Sequence, residues 1–193
     1  IMGDTPTPRP TYVLVRGNYE DHGEQVAPRG LNVIMPWNSQ WPENRIGLAR
    51  WLFDAKNPLT ARVFVNRIWQ MHFGRGLVET AEDFGSQGSI PTHPELLDYL
   101  AVTFRESDWD VKTLHKAIVM SATYRQQSEV SGEALKKDPR NLLLARFPRL
   151  RMPAEMVRDH ALAASGLLVR RVGGASTFPY QPKNMWDGFN VYK

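Results

Sequence analysis

Ala61-Arg62-Val63-Phe64-Val65-Asn66-Arg67-Ile68-Trp69-Gln70-Met71-His72-Phe73-Gly74-Arg75-Gly76 is the stretch on which the fold turns. Ala61, Phe64, Val65, Ile68, Trp69 and His72 recur at the spacing of one helix face, so a long amphipathic helix is predicted here. Arg62, Asn66 and Gln70 fall four residues apart and read as its polar stripe. Asn57-Pro58 supplies an N-cap and a proline suited to the first helical position. Gly74 and Gly76 end the helix, because glycine accepts the left-handed conformation needed just past a C-terminus.

Further helices follow on both sides. On the N-terminal side, Leu48, Trp51 and Leu52 form an apolar face of a helix starting near Asn44. On the C-terminal side, Thr92 and Glu95 have the spacing of a capping box ahead of the stripe Leu96, Leu97, Leu100, Ala101 and Phe104. Asp110 is placed to cap a helix that turns Leu114, Ile118, Val119 and Ala122 inward. A short helix is expected after Asp138-Pro139, and a longer one from Pro153 with Val157, Ala161, Ala164 and Leu168 on one face. Ahead of these, the prolines in residues 4–10 exclude helix, and Thr11–Gly17 reads as a strand. Residues 18–43 read as an irregular connection. The expectation is a mainly α, single multi-helix domain of five or six helices with a short extended or β N-terminal segment. Its divisions are an N-terminal segment and linker at 1–43, a helical core at 44–171 and a loop-rich tail at 172–193, marked by Gly173, Gly174 and Pro179.

Composition narrows the chemistry. The 193 residues include no cysteine, which removes disulfides, thiolate metal sites and covalent haem attachment from this chain. No run approaches the roughly 18 apolar residues of a membrane span. The chain opens on Ile1 and reads as a piece of a longer protein, so the lack of a leader leaves its compartment open. Charge is uneven: residues 1–139 carry 15 Lys and Arg against 17 Asp and Glu, net −2, whereas 140–193 carry 9 against 3, net +6. That asymmetry suits an acidic partner, a polyanion or another part of the same protein. Aromatics do not interleave with the basic residues as in a nucleic-acid module, and no nucleic-acid partner is expected.

Arg67 and Arg75, flanking the helix end, have the chemistry to clamp a carboxylate or sulfate, with Asp83 close in sequence. The alternative is structural, with these arginines paired to Glu79, Asp83 or backbone carbonyls. No nucleophile or general base accompanies them, which favours the structural reading. Glu79, Glu82 and Asp83 form an acidic group whose role as acid/base pair or helix cap stays open. Arg146, Arg149 and Arg151 alternate around Phe147, Pro148 and Leu150; they form a basic strip for an acidic partner, or pair locally, Arg151 with Glu155. The histidines His22, His72, His93, His115 and His160 have no metal-ligand spacing, so no metal is expected and each reads as a structural side chain.

Leu48-Ala49-Arg50-Trp51-Leu52, Asn57-Pro58-Leu59-Thr60-Ala61-Arg62-Val63, Asn66-Arg67-Ile68-Trp69 and Phe73-Gly74-Arg75-Gly76-Leu77-Val78 together resemble one known block. It continues through Asp83-Phe84-Gly85, His93-Pro94-Glu95-Leu96-Leu97-Asp98, Leu114-His115-Lys116 and Ser121-Ala122-Thr123-Tyr124-Arg125-Gln126 to Glu155-Met156-Val157-Arg158-Asp159. Order and spacing are similar to the planctomycete domain of unknown function PSD1, also called DUF1553. The resemblance implies an exported, periplasmic or cell-surface protein that carries c-type haem on a separate domain. No cofactor is expected in this chain itself. It also implies a further Arg-rich, apolar block after the Trp186 region, so the chain reads as truncated at its C-terminus. The function implied is a non-catalytic structural or interaction module. The alternative is an enzyme or binding domain for sulfated or carboxylated polysaccharide, prompted by the arginines and by six Trp and six Tyr.

Overall fold

A computed structural model describes residues 9–176 together with 178, 180, 182 and 183. The expectations for residues 4–8, Pro179 and the Trp186 region lie outside the described residues. The chain divides between Leu150 and Arg151 into two compact units. The fold is mainly α: seven α-helices and one two-stranded sheet stand among the described residues.

The N-terminal strand is shorter than its sequence suggests. β1 (Thr11–Leu14) pairs antiparallel with β2 (His22–Val26), and a 3-10 turn over Val15–Gly17 intervenes. Arg16 and Gly17 both take positive φ, which turns the chain back at the point where the strand was expected to continue. β2 lies inside the stretch expected to be irregular. Its sequence, His-Gly-Glu-Gln-Val, lacks apolar alternation because every residue in it is exposed.

α1 (Arg45–Phe53) starts at Asn44, whose side chain accepts from the N–H groups of Ile46 and Gly47. Only Trp51 of the expected face is buried; Leu48 and Leu52 reach solvent. The Trp51 indole donates to Met35 O at 2.8 Å, and Gly30 lies so close to its ring that no Cβ fits there.

α2 (Thr60–Phe73) is the central helix. It starts two residues later than Pro58, yet Asn57 still caps it, its Oδ1 accepting from Leu59 and Thr60 N–H at 3.0 and 3.3 Å. Ala61, Val65, Ile68, Trp69 and Phe73 are buried, while Phe64 is partly exposed and stacks on Phe104. Gly74 closes the helix at φ 74°, donating to Gln70 O. α2 packs on α3 (Pro94–Glu106), which buries Leu97, Leu100, Ala101 and Phe104. Arg62 also bridges to Asp98 of α3 at 2.6 Å, and that bond lowers the Asp98 pKa below the usual carboxylate value.

The capping box at Thr92 does not form. The Thr92 hydroxyl and N–H instead both donate to Leu77 O, tying the loop before α3 to the loop after α2. α4 (Val111–Met120) is capped by Asp110 as expected and buries Leu114 and Ile118. Ser121 then breaks the helix and caps the one-turn α5 (Ala122–Arg125), which leaves Ala122 exposed. The short helix expected after Asp138-Pro139 lies before it, as α6 (Gly132–Lys137) capped by Ser131. In the second unit, α7 (Ala154–Ala164) follows Pro153, but none of its residues is buried.

Candidate functional site

Asn66 departs most from its expected place. It is 0% exposed, not part of a polar stripe. It sits three and seven residues before Trp69 and Phe73, which places it on the apolar face. There its Nδ2 donates to Val78 O at 3.0 Å and its Oδ1 accepts from Val78 N at 2.9 Å. One amide side chain thus satisfies both backbone groups of a buried residue. Gly76 passes directly over this clamp, and a Cβ there would lie 2.6 Å from the Asn66 amide nitrogen. The Gly-Arg-Gly turn is therefore shaped to let the 76–78 backbone approach α2.

That turn aims Arg75 at Glu79. Arg75 Nη2 donates to Glu79 Oε1 at 2.9 Å, and Arg140 Nη2 donates to both Glu79 oxygens at 2.8 and 2.9 Å. Arg75 Nη1 is buried without a hydrogen-bond partner. The two arginines line a cavity of about 240 Å³ whose other walls include Trp69, Phe73, Leu77 and Leu150.

The expected anion-site residues are thus only partly brought together. Arg67 lies outside this cavity and pairs with exposed Glu82 at 2.9 Å. Asp83 Oδ1 accepts from Gly85 N–H within its own loop at 2.7 Å. The acidic group is therefore dispersed: Glu79 meets Arg75 and Arg140, Glu82 meets Arg67, and Asp83 meets Gly85 N–H. Arg146 and Arg149 share a second, open trough of about 720 Å³ with Arg140. Arg151 belongs to the second unit.

The segment carrying Arg140 and Arg146 is held by side chains that replace secondary structure. Asp138, itself buried, accepts from Leu142 and Leu143 N–H at 2.8 Å each. Burial alone would raise its pKa, but those two N–H groups and the charges of Arg146 and Arg75 outweigh it, and the net shift is downward. Arg146 donates to Asp138 O and Pro139 O at 3.1 and 2.9 Å, and Asn141 pins the Arg146 backbone from the other side. Arg140 has no signal of its own in the sequence, where Asp138-Pro139 reads as a helix start. Asp-Pro followed by Asn141 is equally a turn signal, and Asn141 does take positive φ.

A second polar contact lies inside the core edge. His72 Nε2 and His115 Nδ1 are 2.8 Å apart, linking α2 to α4, with Tyr124 edge-on to His72. Their ring centroids are 5.0 Å apart, so the two nitrogens point nearly straight at each other, as in an N–H···N bond. Burial, then the neighbouring His115, lowers the His72 pKa.

Fold and site together define a mainly helical domain whose densest motifs close onto its own backbone, with an arginine-lined trough beside them. The chain belongs to the PSD1 family, proteins of unknown function (DUF1553), whose model matches residues 44–191. Comparison with curated proteins and with solved structures gives no match. Among the described residues no helix is long and apolar enough to cross a membrane.

Proposed function

We propose that this chain is a non-catalytic structural or interaction module of an exported planctomycete protein that carries c-type haem on a separate domain. The observation that supports the first part is the use of the motif side chains. Asn66 holds Val78, Arg75 holds Glu79, and Trp69 lies in the core. Groups consumed in this way stabilise the fold rather than await a substrate. The polysaccharide alternative calls for Trp69, Arg67, Arg75 and Asp83 in one cleft; Trp69 and Arg75 line the same cavity, whereas Arg67 and Asp83 lie outside it. The exported, haem-associated setting rests on the family resemblance. Detection of the native protein in the cytoplasmic fraction alone would remove that setting.

Arg75→Ala tests the structural part. Its expected effect is a stability loss of about 1 kcal/mol, since Arg140 still holds part of Glu79, with unchanged affinity for a sulfated or uronic-acid polymer. A variant as stable as the parent that has lost polymer binding would overturn the reading.

A further inference from the structure

The trough beside Arg140 has features that the fold does not use. Its cationic wall is Arg140, Arg146 and Arg149, against one acidic residue, Glu129. Arg149 is exposed and makes no hydrogen bond or ion pair among the described residues. Arg146 is oriented by two backbone carbonyls, and its guanidinium also lies within electrostatic reach of the Asp138 carboxylate. Arg140 meets Glu79 through Nη2 only, so its Nε and Nη1 remain available. The loop is already held in place by Asp138 and Asn141, and Phe147 N–H donates to Gln127 O at 3.1 Å. Little ordering is therefore left for a ligand to impose.

The rest of the wall mixes apolar Val130, Leu135 and Pro148 with polar Ser128 and Asn141. The backbone N–H groups of Ser128, Glu129 and Val130, three residues that line the trough, make no hydrogen bond among the described residues. Cations, small apolar patches and free backbone donors together match an extended peptide. A sugar polymer would instead call for an exposed aromatic face. The single aromatic in the wall, Phe147, is already packed against Tyr124 and Phe73 at centroid distances of 5.0 and 5.9 Å.

We propose that the trough formed by residues 128–149 binds an extended acidic peptide segment of a partner protein, with Arg140, Arg146 and Arg149 taking its carboxylates. This rests on the reading of the chain as an interaction module and names the chemistry of the partner. The probe is a fluorescein-labelled peptide of alternating glutamate and valine, titrated with the full chain and followed by anisotropy. Binding should saturate and weaken as salt rises from roughly 20 to 150 mM. Arg149→Glu should weaken it about ten-fold or more at an unchanged urea midpoint. Glu129→Gln should strengthen it, and Arg67→Ala, outside the trough, should leave it unchanged. Absence of saturable binding, or equal effects of Arg149→Glu and Arg67→Ala, overturns the proposal. Tighter, Arg149-dependent binding of a polyuronate also overturns it, by assigning the trough to a glycan. These results turn on Arg149, whereas the structural reading turns on Arg75, so either can fail alone.

Discussion

Replacing Asn66 by alanine removes both hydrogen bonds that hold Val78 against α2. Val78 is 2% exposed, so water cannot take over the N–H and C=O that are left. Each buried group stranded in this way costs about 1–3 kcal/mol, and the amide also vacates packed volume. The expected loss is therefore about 2–5 kcal/mol, a large share of the ~5–15 kcal/mol typical of a domain. Urea denaturation followed by tryptophan fluorescence and far-UV circular dichroism would read this as a midpoint lowered by roughly 1–2 M. Arg67→Ala is the control on the next residue: its pair with Glu82 is exposed, and the expected change is below ~1 kcal/mol. Asn66→Asp sharpens the test. The carboxylate still accepts from Val78 N–H but faces Val78 O, 3.0 Å from the position it takes, with no proton to donate. Its pKa should rise on folding, so its deficit relative to the parent should shrink as pH falls and the carboxyl protonates. An Asn66→Ala unfolding free energy within ~0.5 kcal/mol of the parent would refute the clamp.

Two further outcomes follow from the same region. Gly74→Ala places a side chain at φ 74° and drives its Cβ into Leu150, so a loss of about 1 kcal/mol or more is expected in the same urea assay. His72 has a folded pKa below its unfolded value, so its contribution to stability is complete above the ordinary histidine value of 6.5 and is lost as pH falls through the folded pKa. His72→Phe should flatten the stability–pH profile in that acidic window, and an unchanged slope would refute the assignment.

The positions of α1 to α4 were legible in the sequence because apolar periodicity and caps are local, whereas short α6, without such a period, lies ahead of the place its Asp138-Pro139 signal suggests. Asn44, Asp110 and Gly74 act where their residue types say they should, since each bonds within its own turn. The face of α3 was readable for the same reason, because Leu97, Leu100, Ala101 and Phe104 recur at i, i+3, i+4 and i+7. Burial of a polar residue was not legible in this way. Asn66 and Asp138 go inside because a distant or irregular backbone segment needs their hydrogen bonds, and nothing in a helical period records that need. Thr92 had the right spacing for a capping box, yet its hydroxyl was taken by Leu77 O, fifteen residues away.

The sequence by itself determined the helical class, the family and the absence of thiolate chemistry, because these depend on composition, period and motif order. Only the tertiary structure decided which arginines meet. Arg67 and Arg75, close in sequence and flanking the same helix end, hold different carboxylates, while Arg75 and Arg140 share Glu79 across 61 residues from Glu79 to Arg140. The physical reason is that a guanidinium's role is set by the carboxylates and carbonyls that packing brings within about 3 Å, and that proximity is a property of the folded chain rather than of spacing along it.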